Sequence, residues 1–218
     1  MRGLAYLVHG REPSLPPTWG FVDGLNLQIE NPSNADLQEN YYNGWKAITC
    51  CSSILVWDAE GLIRWCALNY AGSMHDSGIC VKAGLYHEIA DMPTGIHILC
   101  DSAFRNMQGT LVVARSNARL PSEPAERIAW IQRQNATISI RRAVEWGMGT
   151  ITHTYKRLKT RLEFNPKKRL LLLDTCVRLL NFRTKRVGLN QIRTVFGSLA
   201  NQEDMGGVEN VFGTQFGV

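Results

Sequence analysis

No stretch of the 218 residues stays apolar for the roughly 18–20 positions that a bilayer-spanning helix requires. The opening Met1-to-Gly10 stretch is too short and too mixed for a secretory signal, so an intracellular protein is expected. Cys-x-x-Cys pairs are absent too. The six cysteines fall mostly inside apolar runs (Cys50, Cys51, Cys66, Cys100), which reads as reduced core thiols and gives no zinc site. Acid is scarce where base is densest: between His153 and Arg193, twelve Lys or Arg stand against Glu163 and Asp174 alone. That segment holds half of the 24 basic residues in a chain of net charge +5. Such a face suits a polyanion, but it is equally the composition of a solvated helix surface. Periodicity is missing from residues 1–18, which contain Pro13, Pro16 and Pro17 and read as an irregular lead-in. Residues 196–218 carry five glycines without periodicity and read as a flexible tail. No internal repeat is visible.

What remains, residues 19–195, has the makings of one domain. Apolar residues are 44% of the chain and charged residues 20%, enough for one substantial core. Trp19 to Asp23 reads as a short strand cut by Gly24, and the Asn-rich residues 26–44 as a loop. Ala47 to Trp57 and Ile63 to Tyr70 read as the arms of a hairpin turned by Asp58-Ala59-Glu60-Gly61. A helix from about Ser77 to Ala90 and a strand from Ile96 to Cys100 follow, with Thr110 to Ala114 a possible fifth strand. A helix between the third and fourth strands lets the fourth run parallel to the first and lie beside it. After Pro124 the pattern turns helical, with Val144, Met148, Ile151, Tyr155 and Leu158 on one face. A last helix, about Lys167 to Arg183, should bury Leu170, Leu173, Val177 and Leu180. The fold class is therefore α/β, a mixed sheet flanked by helices.

Three carboxylates occupy exceptional places. Asp23 closes the run Trp19-Gly20-Phe21-Val22, and Asp101 closes Ile96-His97-Ile98-Leu99-Cys100. Neighbouring first and fourth strands would bring both out at one edge of the sheet. Glu145, beside the apolar helical stripe, would have to arrive from a helix packed across that edge. Carboxylates at the ends of buried strands are costly unless their charge is compensated. Together the three would suit a hard divalent cation such as Mg²⁺, and hence phosphodiester chemistry.

The words around these acids follow one another in order: Phe21-Val22-Asp23-Gly24, Tyr42-Asn43-Gly44-Trp45-Lys46, Gly72-Ser73-Met74-His75-Asp76-Ser77, Asp101-Ser102-Ala103-Phe104 and Arg142-Ala143-Val144-Glu145. This series resembles the DDE superfamily endonucleases of the PIF/Harbinger transposase type over about Trp19 to Arg186. The resemblance implies an RNase H-like fold and a nuclease that cuts and rejoins DNA with Mg²⁺ or Mn²⁺. It gives Asp23, Asp101 and Glu145 the role of catalytic metal-binding triad. Asp76 matches a further acidic position, either a fourth metal ligand or an N-cap for the helix after it. His75 would contact phosphate or the leaving group, or simply order its turn. Lys46 and Asn43 would position the active-site loop or the DNA, with Trp45 in the core. Arg141 and Arg142 would neutralise phosphate or pair with acids, and Lys156, Arg157, Lys159 and Arg161 continue the basic surface toward DNA.

The chain departs from the family pattern at Ala71, where Pro is usual, at Cys100, where Gly is common, and in Trp146-Gly147-Met148-Gly149-Thr150-Ile151 after Glu145. The upstream DNA-reading region of such transposases has no counterpart here, so the sequence reads as a catalytic core alone. By resemblance, a separate Myb-like DNA-binding protein would be a partner. A nuclear location is implied in the same way, with Lys167-Lys168-Arg169 as a weak import signal. Two rivals are open: a non-catalytic DNA- or protein-binding remnant of a transposase, and an unrelated metal-dependent hydrolase of small phosphoesters.

Overall fold

Strand-forming residues dominate the first half of the chain and build a sheet around one long hairpin. The computed structural model describes residues 1–113, 119–188 and 190–196 and the backbone of 215–216. In chain order the elements are α1 (Arg2–Arg11), β1 (Thr18–Gln28), α2 (Ala35–Tyr41), β2 (Tyr42–Asn43), β3 (Ile48–Asp58) and β4 (Ile63–Ala71). Next come α3 (Asp76–Lys82), α4 (Leu85–Ala90), β5 (His97–Cys100), β6 (Thr110–Val112) and α5 (Pro124–Thr154). A 3-10 turn (Lys156–Lys159), α6 (Pro166–Val187), α7 (Gln191–Phe196) and β7 (Gln215–Phe216) complete the described residues.

The strand order is β6-β5-β1-β3-β4-β7, with β2 paired to β3 at one end. β1, β3 and β4 are antiparallel neighbours, whereas β5 pairs parallel with β1 and β6 parallel with β5. The α3–α4 crossover makes this possible, because parallel neighbours need a long connection. The result is a curled mixed sheet flanked by helices, an α/β architecture consistent with an RNase H-like fold. The expected placing of the fourth strand beside and parallel to the first is what the sheet contains.

Core packing follows from the sheet's two covered faces. β3 is buried along nearly its whole length, as expected of a central strand, and reads as a continuous apolar run. α5 crosses the sheet through Ala136, Ile140, Val144 and Ile151. A Cβ on its Gly147 would stand 2.8 Å from Ile192 Cδ1 and 3.0 Å from the Trp57 ring, so only glycine lets the helix lie that close. α6 buries Leu173, Cys176, Val177 and Leu180, with Leu170 half-buried at the margin of the core. All six cysteines are free and buried. Among the described residues no helix is long and apolar enough to cross a membrane.

Several expectations need correction. Residues 1–18 are not an irregular lead-in: α1 buries Leu4, Ala5, Leu7 and Val8 against β1, and the prolines begin only after it ends. β1 runs on through Gly24 to Gln28, and residues 26–44 contain α2 and β2 rather than a continuous loop. Gly84, at φ +82°, splits the expected 77–90 helix into α3 and α4. Trp45 is not core but 95% exposed. The fifth strand ends at Val112, and its expected extension to Ala114 runs outside the described residues. Phe196, placed in the tail, is a buried core residue stacked on Phe21 with ring centroids 5.5 Å apart. Most of the remaining tail lies outside the described residues, although Gln215–Phe216 pairs parallel with β4.

The β3–β4 turn is fixed by a buried charge. Asp58 is 0% exposed and accepts backbone N–H bonds from Glu60 at 2.9 Å and Leu62 at 2.8 Å. Its other oxygen meets Arg64, which also reaches Glu60 at 3.0 Å. Burial pushes the Asp58 carboxyl up to about 6 even though Arg64 opposes the shift. Removing the guanidinium strands a charge in the core. Arg64→Met should cost about 3–5 kcal/mol in urea unfolding at pH 8. The loss should shrink at pH 5, where Asp58 takes up a proton, and in the Asp58→Asn/Arg64→Met double variant.

Candidate active site

Register puts two of the carboxylates side by side. Phe21 pairs with Leu99 across the parallel β1–β5 ladder, so two residues further along each strand Asp23 falls beside Asp101. Asp23 accepts the Gly24 N–H at 2.8 Å, and Asp101 accepts that of Ala103 at 2.8 Å in the turn that leaves β5. Asp76, the first residue of α3, arrives from above β1. A Cβ on Gly24 would lie 2.5 Å from Asp76 Oδ2 and 2.9 Å from Oδ1, so this carboxylate rests directly on the strand.

These three groups feel one another. Burial raises the Asp23 carboxyl to about 6; the Gly24 N–H opposes the shift, and the charges of Asp101 and Asp76 add to it. Asp76 is also raised, first by burial and then by Asp101, against the pull of Lys46 and His75. Arg141 of α5 stands 3.8 Å from Asp101 Oδ2 and favours the ionised form of Asp23 as well. The cluster is thus a set of partly desolvated carboxylates whose charge a proton or a cation offsets.

Two loops hold Asp76 in place. Asn43 donates to the Gly72 carbonyl at 2.9 Å and accepts the Lys46 N–H at 3.0 Å, which clamps the β2–β3 turn to the Gly72–Asp76 turn. The Ser73 N–H adds a bond to the Asn40 carbonyl at 3.3 Å. On the other side, the Tyr86 hydroxyl lies 2.9 Å from Ser77 Oγ and accepts the Arg105 N–H at 3.0 Å, joining α3 to the loop after Asp101. Sequence reasoning missed Tyr86, whose only signal was an aromatic with a polar tip inside a helical segment. Asp76 does not act as the N-cap: His75 holds that position, and no side chain caps α3.

Glu145 is placed differently. It is solvent-exposed on α5 and forms no hydrogen bond or ion pair with the described residues. Positions four apart share a helix face, so Glu145 lies one turn, about 6 Å, beyond Arg141 on the side that Arg141 turns to Asp101. Arg142 is exposed. Lys156, Arg157 and Lys159 are exposed on the 3-10 turn, where Lys159 meets His153 Nδ1 at 2.9 Å and Arg157 the Arg161 carbonyl at 2.8 Å. The basic segment is less free than its composition suggests. Lys168 pairs with Glu163 at 2.8 Å and Arg178 with Asp174 at 2.9 Å. Arg169, read as part of an exposed Lys167-Lys168-Arg169 signal, is only 1% exposed and lies deep under α6.

No three His, Cys, Asp or Glu side chains among the described residues converge as closely as a shared ion demands. The donor chemistry nevertheless fits a hard divalent cation: oxygen ligands only, two of them raised first by burial and then by neighbouring carboxylates. The same physics gives a prediction. The raised Asp23 holds its proton above the ordinary value of 3.8, so the folded chain binds more protons than the unfolded one between about pH 4 and 6. Stability from this group is therefore lost as pH rises through that window. Asp23→Asn, which keeps the acceptor for Gly24, should be about 1–2 kcal/mol more stable than wild type at pH 7 in chelator. The difference should vanish near pH 4, as read by urea unfolding at each pH.

Neither a curated protein nor a solved structure matches the chain. The sequence profile of the family described as DDE superfamily endonuclease matches residues 22–181, which takes in Asp23, Asp76, Asp101 and Glu145 and most of the 218 residues. With its strand order and its paired aspartates, the chain belongs to the DDE superfamily endonucleases.

Proposed function

We propose that the chain is a metal-dependent DNA nuclease core of transposase origin, of the PIF/Harbinger kind. Asp23, Asp101 and Glu145 would hold Mg²⁺ or Mn²⁺, with Asp76 as a further ligand. The observation that carries the reading is the convergence of Asp23 and Asp101 at the ends of adjacent parallel strands with Asp76 resting on Gly24 between the loops, an arrangement that a divalent cation would stabilise. A divalent ion held by these residues would supply activation of a water or 3′-hydroxyl and stabilisation of the departing oxygen of a phosphodiester.

The chain's own residues do the rest. The carboxylates act as ligands, not as nucleophiles. Lys46 and His75, which flank Asp76 electrostatically, take the phosphate next to the scissile one. Arg141 exchanges its pairing with Asp101 for a substrate phosphate, which frees the face on which Glu145 also lies. Arg142, Lys156, Arg157 and Lys159 hold the backbone further away, so affinity falls steeply with salt. Cleavage with two ions, strand transfer by the liberated 3′-hydroxyl, a Myb-like DNA-binding partner and a nuclear location belong to the same reading, and their support is the resemblance.

One observation favours a second reading. Arg141 already neutralises Asp101 while Glu145 faces solvent, as in a remnant that binds DNA without cutting it. Plasmid nicking in Mn²⁺ separates the two. The nuclease reading expects wild-type nicking that falls to background in Asp101→Ala and in Glu145→Ala. Salt-sensitive retention of DNA with no nicking supports the remnant. Turnover of nucleotides without duplex affinity overturns both.

A further inference from the structure

The tip of the β2–β3 turn carries an arrangement that the carboxylate chemistry does not use. Trp45 is 95% exposed, the most exposed of the large hydrophobic side chains described. A tryptophan left in water forgoes the burial that its size would give. Nor is this turn loosely held. Asn43 bonds both the Lys46 N–H and the Gly72 carbonyl, and the next residue, Ala47, is kept in the left-handed region at φ +52°. Behind the turn, Tyr41 is anchored by the buried Arg169, which donates to its hydroxyl at 3.3 Å and lies over its ring at 5.2 Å. Arg169 is itself secured by the Phe164 carbonyl at 2.9 Å, the Glu163 carbonyl at 3.2 Å and Asn69. The exposed indole is therefore presented by a braced support. Asn43 ties this turn to Gly72, four residues before Asp76, so the turn that carries the indole borders the carboxylate cluster.

We propose that Trp45 is a stacking platform for an unpaired base of the DNA substrate, next to the phosphate that the site engages. The inference rests on the DNA-nuclease reading and adds the form of the substrate to it. An indole face stacks on any base, but a paired base hides its faces within the helix, so the platform selects DNA that is unpaired or opened at the cleavage point. Lys46, one residue on, is placed to take a phosphate of the same strand while the indole takes the base. The cations near this turn and the carboxylates, Lys46 and Arg141, suit a polyanion rather than an apolar partner.

The test compares binding of wild type, Trp45→Ala and Trp45→Phe to a blunt duplex and to the same duplex with a short 3′ overhang, by fluorescence anisotropy in chelator. Trp45→Ala should lose about tenfold in affinity for the overhang duplex and nothing for the blunt one. Trp45→Phe should keep most of the preference, and because the side chain is exposed neither variant should shift the unfolding midpoint. An unchanged overhang affinity in Trp45→Ala overturns the inference, as does an equal loss on both duplexes or a wild type that does not bind the overhang. If wild type still nicks plasmid in Mn²⁺, the stacking role alone falls. If it neither binds nor nicks DNA, the nuclease reading falls with it.

Discussion

The burial of Asp23 and Asp76 beside the charge of Asp101 is the constraint around which the rest of the molecule is arranged. Carboxylates so placed oppose folding, since burial withdraws Asp23 and Asp76 from water and the charge of Asp101 adds to the cost of ionising both. The protein tolerates them because the scaffold holding them is rigid. Two come from adjacent parallel strands in the sheet's interior, and the third is clamped between loops tied to Gly72 and Tyr86. Local instability of this kind is what a ligand-binding site looks like before its ligand is counted.

The two buried arginines show how differently charge can be accommodated in one small domain. Arg64 meets carboxylates, and the pair with Asp58 seals the turn of the main hairpin. Among the described residues Arg169 has no carboxylate partner; carbonyls, an amide and a phenol accept from it. A guanidinium satisfied by neutral acceptors keeps its full charge, and that charge faces the ring of Tyr41 and the base of the turn that carries Lys46. Both arginines hold loops in place, one at the hairpin turn and the other behind the turn beside the carboxylates.

Much of this was legible in the sequence. The β3–β4 hairpin is legible in two strand-forming runs on either side of Asp58-Ala59-Glu60-Gly61, and Asp101 in its position after an apolar run. Both signals are local, and local patterns survive into the fold. Where reading failed, a residue type was trusted over its surroundings. Prolines at 13, 16 and 17 hid α1, although Leu4, Leu7 and Val8 stood at helical spacing. Trp45, expected in the core, stands in solvent, and Arg169 of the Lys167-Lys168-Arg169 signal is buried, because tertiary contacts decide burial. The side-chain position of Glu145 was the least legible. It depends on how α5 sits on the sheet, and Gly147 against Trp57 sets that fit.

The parallel pairing of β1 with β5 also governs when the site can exist. Asp23 and Asp101 meet only after the whole intervening hairpin and its crossover have closed, a contact between distant parts of the chain that forms slowly. During synthesis, the first aspartate therefore waits through most of the domain's assembly before its neighbour arrives. The pairing of the two carboxylates is in this way a late event of folding, and a chain caught half-folded does not yet hold them together.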